Sequence, residues 1–339
     1  MINNVININV DYTAMGVKPS PRQTTLTTYI LDKGNIMDSG GIKRPAVIVC
    51  PGGGYGCTSP REAEPIALKY CAAGFHAFVL DYSIAPSSWP AAACELSKAV
   101  SYVRKIADEN SIDSNKIFVA GFSAGGHLAA SLGVHWNHPD VIKYSGIEDG
   151  SNRPNGIILG YPVITGEEGR THQGTIDNFV AGRESVKPLA WLENYVTEKT
   201  PQTFIWHTFT DNAVPVISTL RFANALEAHN VKFEMHIYPN GGHGLSTGDY
   251  ITCAPGTRMP CVTNWVEMSV RWINEFERCD VEGRGTFYFL TGNYTDTDPG
   301  AKDTDSHALA EGYVAVTPTT LDVTSHRLAE EVKNWGIEQ

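Results

Sequence analysis

The most constraining stretch of this chain is Gly121-Phe122-Ser123-Ala124-Gly125. A short apolar run at 116–120 leads into it, and a helix-forming run at 127–132 leads out. A serine on a sharp turn between strand and helix must adopt strained backbone angles. The crowding leaves room only for glycine-like neighbours two positions either side. The helix that follows aims its first N–H groups at any negative charge that develops there. The pattern therefore demands a layered α/β protein and makes Ser123 a candidate nucleophile. A serine merely sitting in a glycine turn is the plain alternative, and the flanking strand and helix argue against it.

The rest of the chain reads as the same alternation. Apolar runs without polar alternation, at 45–50, 77–81, 116–120, 156–161 and 203–208, are the mark of strands buried on both faces. A further strand is expected at 233–238, and helices at 62–73, 91–110, 218–229 and 262–278, with one more near 188–196. Residues 1–45 read as short entry strands at 5–10 and 24–31, followed by a turn at 38–41. The expected architecture is a mostly parallel central sheet with helices on both faces, occupying about residues 1–280. Composition shifts after Cys279, and 281–339 reads as a short α+β extension with strands at 286–290 and 312–317 and a helix at 325–335.

Two further residues complete a chemical set. Asp211 follows the 203–208 strand, and His243 follows the 233–238 strand between glycines. Both fall where ligands meet the carboxyl ends of open parallel sheets. The chain order Ser, Asp, His fits this fold and not the other serine-nucleophile classes. In such a set His243 takes the serine proton, and Asp211 fixes the imidazole tautomer. Asp-Asn is also ordinary turn chemistry, and Asp249 is the local competitor for the acid. After the first core strand comes Pro51-Gly52-Gly53-Gly54-Tyr55. The amides of Gly53 and Gly54, with that of Ala124, are the candidates for an oxyanion hole, where one lost donor costs about 3–4 kcal/mol. A phosphate-binding reading of the glycines fails on spacing. His127 is assigned to the helix start or a pocket wall. His135, His138, His172 and His207 show no metal-ligand spacing, and neither metal nor cofactor is expected. Trp89, Trp191, Trp206 and Trp265 could line a carbohydrate platform, but core packing is the better reading for each.

Bulk properties narrow the partners. A formal net charge of -11 disfavours nucleic acid and anionic membranes. The seven cysteines lack CxxC spacing; Cys253 and Cys261 are near enough in sequence to pair across a loop. The first ten residues lack a basic, apolar leader pattern, which gives an expectation of cytoplasmic location.

From Ala46 to His243 the motifs resemble the lipase/esterase group with an HGGG-type loop, and within it the bacterial acetylxylan esterases and feruloyl-esterase-like proteins. Proline stands at position 51 where that loop usually has histidine. Asp81-Tyr82-Ser83-Ile84-Ala85-Pro86 resembles the group's DYRLAP signature. The resemblance implies an α/β-hydrolase fold and hydrolysis of short acyl esters, with acetyl groups on xylan or xylo-oligosaccharides as substrate. It puts Ser123, Asp211 and His243 on the triad and Gly53, Gly54 and Ala124 on the oxyanion donors. A serine peptidase of the same fold and a non-enzymatic assembly module are the competing readings. The segment from Tyr288 through Asp322-Val323-Thr324 resembles the C-terminal part of SurE-type survival nucleotidases. That implies either subunit contacts, and with them a homo-oligomer, or a fused segment that packs passively, and in both cases no second active site.

Overall fold

The computed structural model describes residues 1–32 and 42–276. The expectations for the turn at 38–41, the last turn of the closing helix and the whole 281–339 extension lie outside the described residues. Eight strands form one sheet: β1 (Val5–Asn7), β2 (Thr25–Tyr29), β3 (Arg44–Cys50), β4 (His76–Asp81), β5 (Ile112–Phe122), β6 (Gly156–Gly160), β7 (Gln202–Thr208) and β8 (Phe233–Tyr238). Their spatial order is β1-β2-β4-β3-β5-β6-β7-β8. The β1/β2 and β2/β4 pairs are antiparallel, and every pairing from β4 through β3 to β8 is parallel.

The unbroken apolar runs have a physical reason. Successive side chains of a strand point to opposite faces, and here each face has its own core. Ile48, Leu80, Val119, Leu159 and Ile205 point into one, which is filled by helices α3 (Ala91–Lys105), α4 (Ala124–His135) and α7 (Ile217–Ala228). Val49, Val79, Ala120, Ile158 and Phe204 point into the other, against α2 (Glu64–Ala72) and α8 (Trp265–Asn274). A strand with cores on both sides has no polar face to alternate with.

Several elements differ from expectation. A one-turn helix α1 (Tyr12–Met15) interrupts the entry region; Asp11 caps its start, and Gly16, at φ 67°, ends it. Two helices lie in stretches to which the sequence pattern assigns no element: α5 (Pro139–Ser145) and α6 (Gln173–Val180). Both are N-capped by histidine side chains, His138 and His172, rather than by the residues that usually announce a helix. The single helix expected near 188–196 is two 3₁₀ segments, Glu184–Ala190 and Leu192–Tyr195. Cys253 and Cys261 are free thiols, the first buried and the second exposed, so no disulfide joins them. Trp89, Trp206 and Trp265 are core residues, and Trp191 is half-buried with its ring against Gly166. Among the described residues no helix is long and apolar enough to cross a membrane.

Candidate active site

Ser123 sits between β5 and α4 at φ 54°, ψ −118°, a region a non-glycine residue enters only under constraint. The glycines around it are explained by contact. A Cβ on Gly121 would lie 2.1 Å from the Gly125 carbonyl oxygen, and one on Gly125 would lie 2.0 Å from the Cys50 oxygen. Neither position has space for a side chain. The turn is pinned from both sides: the Ser123 amide donates to the Gly160 carbonyl at 3.0 Å, and the Ser123 carbonyl accepts from Val163 at 3.2 Å.

The structure brings Ser123, His243 and Asp211 into one hydrogen-bonded line. His243 Nδ1 lies 2.7 Å from Asp211 Oδ2, and His243 Nε2 lies 2.8 Å from Ser123 Oγ. A carboxylate only accepts, so Nδ1 carries the proton and the Nε2 lone pair faces the serine hydroxyl. Asp211 is held by the turn after β7, with its Oδ1 accepting the amides of Ala213 and Val214 at 2.9 Å each. Burial pushes its carboxyl up, but bonds from His207 and His243, the His243 charge and the Val214 amide outweigh burial and hold it well below the usual carboxylate range. The competitor Asp249 is committed elsewhere, to Thr247, the Ile251 amide and Lys69.

The glycine loop after β3 packs directly on the serine; a Cβ on Gly52 would be 3.0 Å from that of Ser123. Gly53 and Gly54 have φ of 133° and 63°, open to glycine and strained for other residues. The carbonyls from Pro51 to Gly54 are all engaged. Tyr82 Oη donates to Pro51 at 2.5 Å, the Ser59 amide to Gly52 at 2.8 Å, the Gly56 amide to Gly53 at 2.9 Å, and Asn178 Nδ2 to Gly54 at 2.8 Å. Among the described residues no acceptor takes the amides of Gly53, Gly54 or Ala124. The loop's acceptors are thus engaged within the protein, while the amides of Gly53, Gly54 and Ala124 are left unused among the described residues.

Several residues of this arrangement carry no motif. Glu62, 3% exposed, takes the Gly52 amide on one oxygen at 2.8 Å and the Tyr161 hydroxyl on the other at 2.6 Å. Tyr161 in turn accepts the Ser246 amide at 2.9 Å, and its ring packs 5.1 Å from that of His243. Glu62 and Tyr161 therefore tie the glycine loop to the histidine loop. His207, read only as lacking metal spacing, is fully buried beside Asp211. His127 is buried under the glycine loop; its Nε2–H donates to Ala190 O at 3.3 Å, and its Nδ1 accepts from Tyr55 Oη at 3.0 Å. Among the described residues no group of three or more His, Cys, Asp or Glu side chains could hold a metal ion.

A mostly parallel eight-stranded sheet with this strand order, and Ser, Asp and His on the turns after its fifth, seventh and eighth strands, defines an α/β-hydrolase. The family model BD-FAE matches residues 37–226, more than half the chain, and the protein belongs to that family. It is 37% identical over 222 residues to endo-1,4-beta-xylanase B of Butyrivibrio fibrisolvens, covering 61% of this chain and 33% of that protein. It is 28% identical over 213 residues to the acetylxylan esterase of Xylanibacter ruminicola, covering 60% of this chain and 42% of that one. The chain thus spans less than half the length of these two curated relatives. Among solved structures, it resembles the acetyl ester-xyloside bifunctional hydrolase from Caldicellulosiruptor lactoaceticus. That match has a TM-score of 0.67 at 33% identity, over 81% of this chain and 96% of that one. The C-terminal region is similar to 5'-nucleotidase SurE of Phocaeicola vulgatus, 46% identical over 67 residues, which is 20% of this chain and 26% of that protein.

Proposed function

We propose that the protein is a serine carboxylesterase that removes short acyl groups, acetyl above all, from hydroxyls of xylan or xylo-oligosaccharides. The observation that carries the reading is the continuous line from Asp211 Oδ2 through the imidazole of His243 to Ser123 Oγ, with no contact longer than 2.8 Å. In the reaction Ser123 Oγ attacks the ester carbonyl carbon while its proton passes to His243 Nε2. The negative charge that appears on the carbonyl oxygen is held by the amides of Gly53, Gly54 and Ala124. Collapse breaks the bond to the alcohol oxygen, which takes the proton from His243 Nε2, and leaves acetyl-Ser123. Water then gives a proton to His243, attacks the acyl carbon, and the serine oxygen recovers the proton as acetate leaves. His243, 23% exposed at its side chain, faces solvent enough to serve both the leaving alcohol and the incoming water.

The sugar-ester preference is supported by the relatives, whose names couple xylan or xyloside with acetyl-ester chemistry. The chemistry is assigned to residues 1–280 and none of it to the SurE-like segment. The test is acetate release from acetylated xylo-oligosaccharides, beside p-nitrophenyl esters of rising chain length, a feruloyl ester and a dipeptide. Acetyl substrates are expected to be cleaved fastest. Ser123→Ala is expected to lower kcat by on the order of 10⁴-fold or more with the fold retained. Undiminished hydrolysis in that variant would overturn the reading.

A further inference from the structure

His207 has side-chain exposure of 0% and lies at the end of β7, four residues before Asp211. Its Nε2 is 3.0 Å from the Val214 carbonyl oxygen and 3.3 Å from Asp211 Oδ2; its Nδ1 is 2.8 Å from Thr219 Oγ1 on α7. A carbonyl can only accept, so the ring proton is on Nε2, and Nδ1 accepts from the threonine hydroxyl. That N–H is hydrogen-bonded to Val214 O, and Asp211 Oδ2 lies within 3.3 Å of the same Nε2.

The consequence lies in the donor count around Asp211. An ionised carboxylate has about four acceptor positions. On Oδ1 they are filled by the amides of Ala213 and Val214. Oδ2 receives His243 Nδ1–H and has His207 Nε2 beside it. The Asp211 side chain is 0% exposed, so water cannot replace a missing partner there. By holding the Val214 carbonyl, His207 also steadies the residue whose amide binds Oδ1.

We infer that His207 is a positioning residue for the acid of the triad: it holds the Val214 carbonyl, and with it the amide that binds Oδ1, and it sets its Nε2 beside Oδ2, fixing the direction in which the carboxylate faces His243. This rests on the esterase reading given above. The low setting of the Asp211 carboxyl, to which the His207 bond contributes, agrees with it. The titratable and charged groups near the pair include His243, Tyr161 packed on the His243 ring, and Glu168 and Arg170, which line the surface pocket that Asp211 also lines; Arg61 approaches Gly244 beside His243, and α7 presents the uncharged Thr219.

The test compares His207→Phe, which keeps the ring without a donor, with His207→Gln, which carries an N–H at about the reach of Nε2. With p-nitrophenyl acetate, His207→Phe is expected to lower kcat by about 10- to 100-fold with KM unchanged, the scale of a small misplacement in a catalytic array. The acid limb of its kcat/KM profile is expected to move up by roughly half a pH unit. The less shared carboxylate charge then favours the protonated imidazole more strongly. His207→Gln is expected to recover most of both changes. Wild-type kcat and acid limb in His207→Phe would overturn the inference. So would a fall in kcat with an unmoved acid limb and no recovery by glutamine, the signature of a packing role. Should His207→Phe not fold, ¹⁵N NMR of the wild-type imidazoles decides: an Nε2–H tautomer at His207 supports the inference, and an Nδ1–H tautomer overturns it. Wild-type hydrolysis that persists in Ser123→Ala would instead sink the esterase reading, whatever the His207 variants do.

Discussion

At Gly125 a single methyl group would meet two backbone oxygens, Cys50 O at 2.0 Å and Pro51 O at 2.4 Å. Neither can swing aside, because both belong to the end of β3 and the start of the oxyanion loop. Gly125→Ala should therefore destabilise the protein by more than about 3 kcal/mol, or prevent its accumulation, despite alanine's better helix propensity. Gly133 on the same helix is the control. A Cβ there comes nearest the Cδ1 end of the Ile157 side chain, at 3.1 Å, with Pro201 Cδ at an ordinary 3.7 Å and no backbone atom in the way, so Gly133→Ala should cost far less. Denaturation midpoints of the two variants check this; equal midpoints would contradict it. The elbow was legible in the sequence because steric exclusion writes itself as glycine. Glu62 and His207 were not, because a buried acid or histidine satisfied by distant partners leaves no local pattern.

At the scale of the element, α4 is buried along its whole length, and two of its side chains are titratable. Burial lowers His127 and His135 from the ordinary 6.5 to about 4 each, only partly offset by the backbone carbonyls of Ala190 and Leu189. Both are neutral in the folded protein at pH 7, whereas the unfolded chain takes up protons below about 6.5. Their stabilising contribution is then complete above pH 6.5 and is lost as the pH falls from 6.5 towards 4. Asp211 adds a loss in the same direction at lower pH, since its folded value lies below the ordinary 3.8. From pH 7 to 5 the two histidines together should cost on the order of 2–4 kcal/mol and lower Tm by several degrees. Calorimetry at the two pH values checks this, with His135→Gln expected to flatten the dependence; a Tm that does not change would contradict it. The strands of this helix's sheet were readable as apolar runs, since two cores leave no polar face. The wall beside the glycine loop was less so: α6 went unread, and the two 3₁₀ segments were read as one helix. Its helices are short, α6 is capped by His172, and that helix ends at Ala181 in a left-handed turn at φ 44° where glycine would be the usual signal.

For the whole molecule, the sheet does one mechanical task. It aligns the carboxyl ends of β3, β5, β7 and β8, so that four separate turns supply the glycine loop, Ser123, Asp211 and His243. The chain order of the three chemical residues follows from that topology, which is why the fold and the set could be read together from the sequence. The cross-links between those turns, through Glu62 and Tyr161, arise only once the sheet has brought the turns together. The central claim is that this assembly makes Ser123 a nucleophile that carries an acyl group. Mixing the protein with p-nitrophenyl acetate, quenching in acid within milliseconds and mapping peptides by mass spectrometry tests it most directly. One acetyl group is expected on Ser123 and none in Ser123→Ala. Rapid hydrolysis with no acetylated Ser123, or acetyl found instead on another residue, would contradict it.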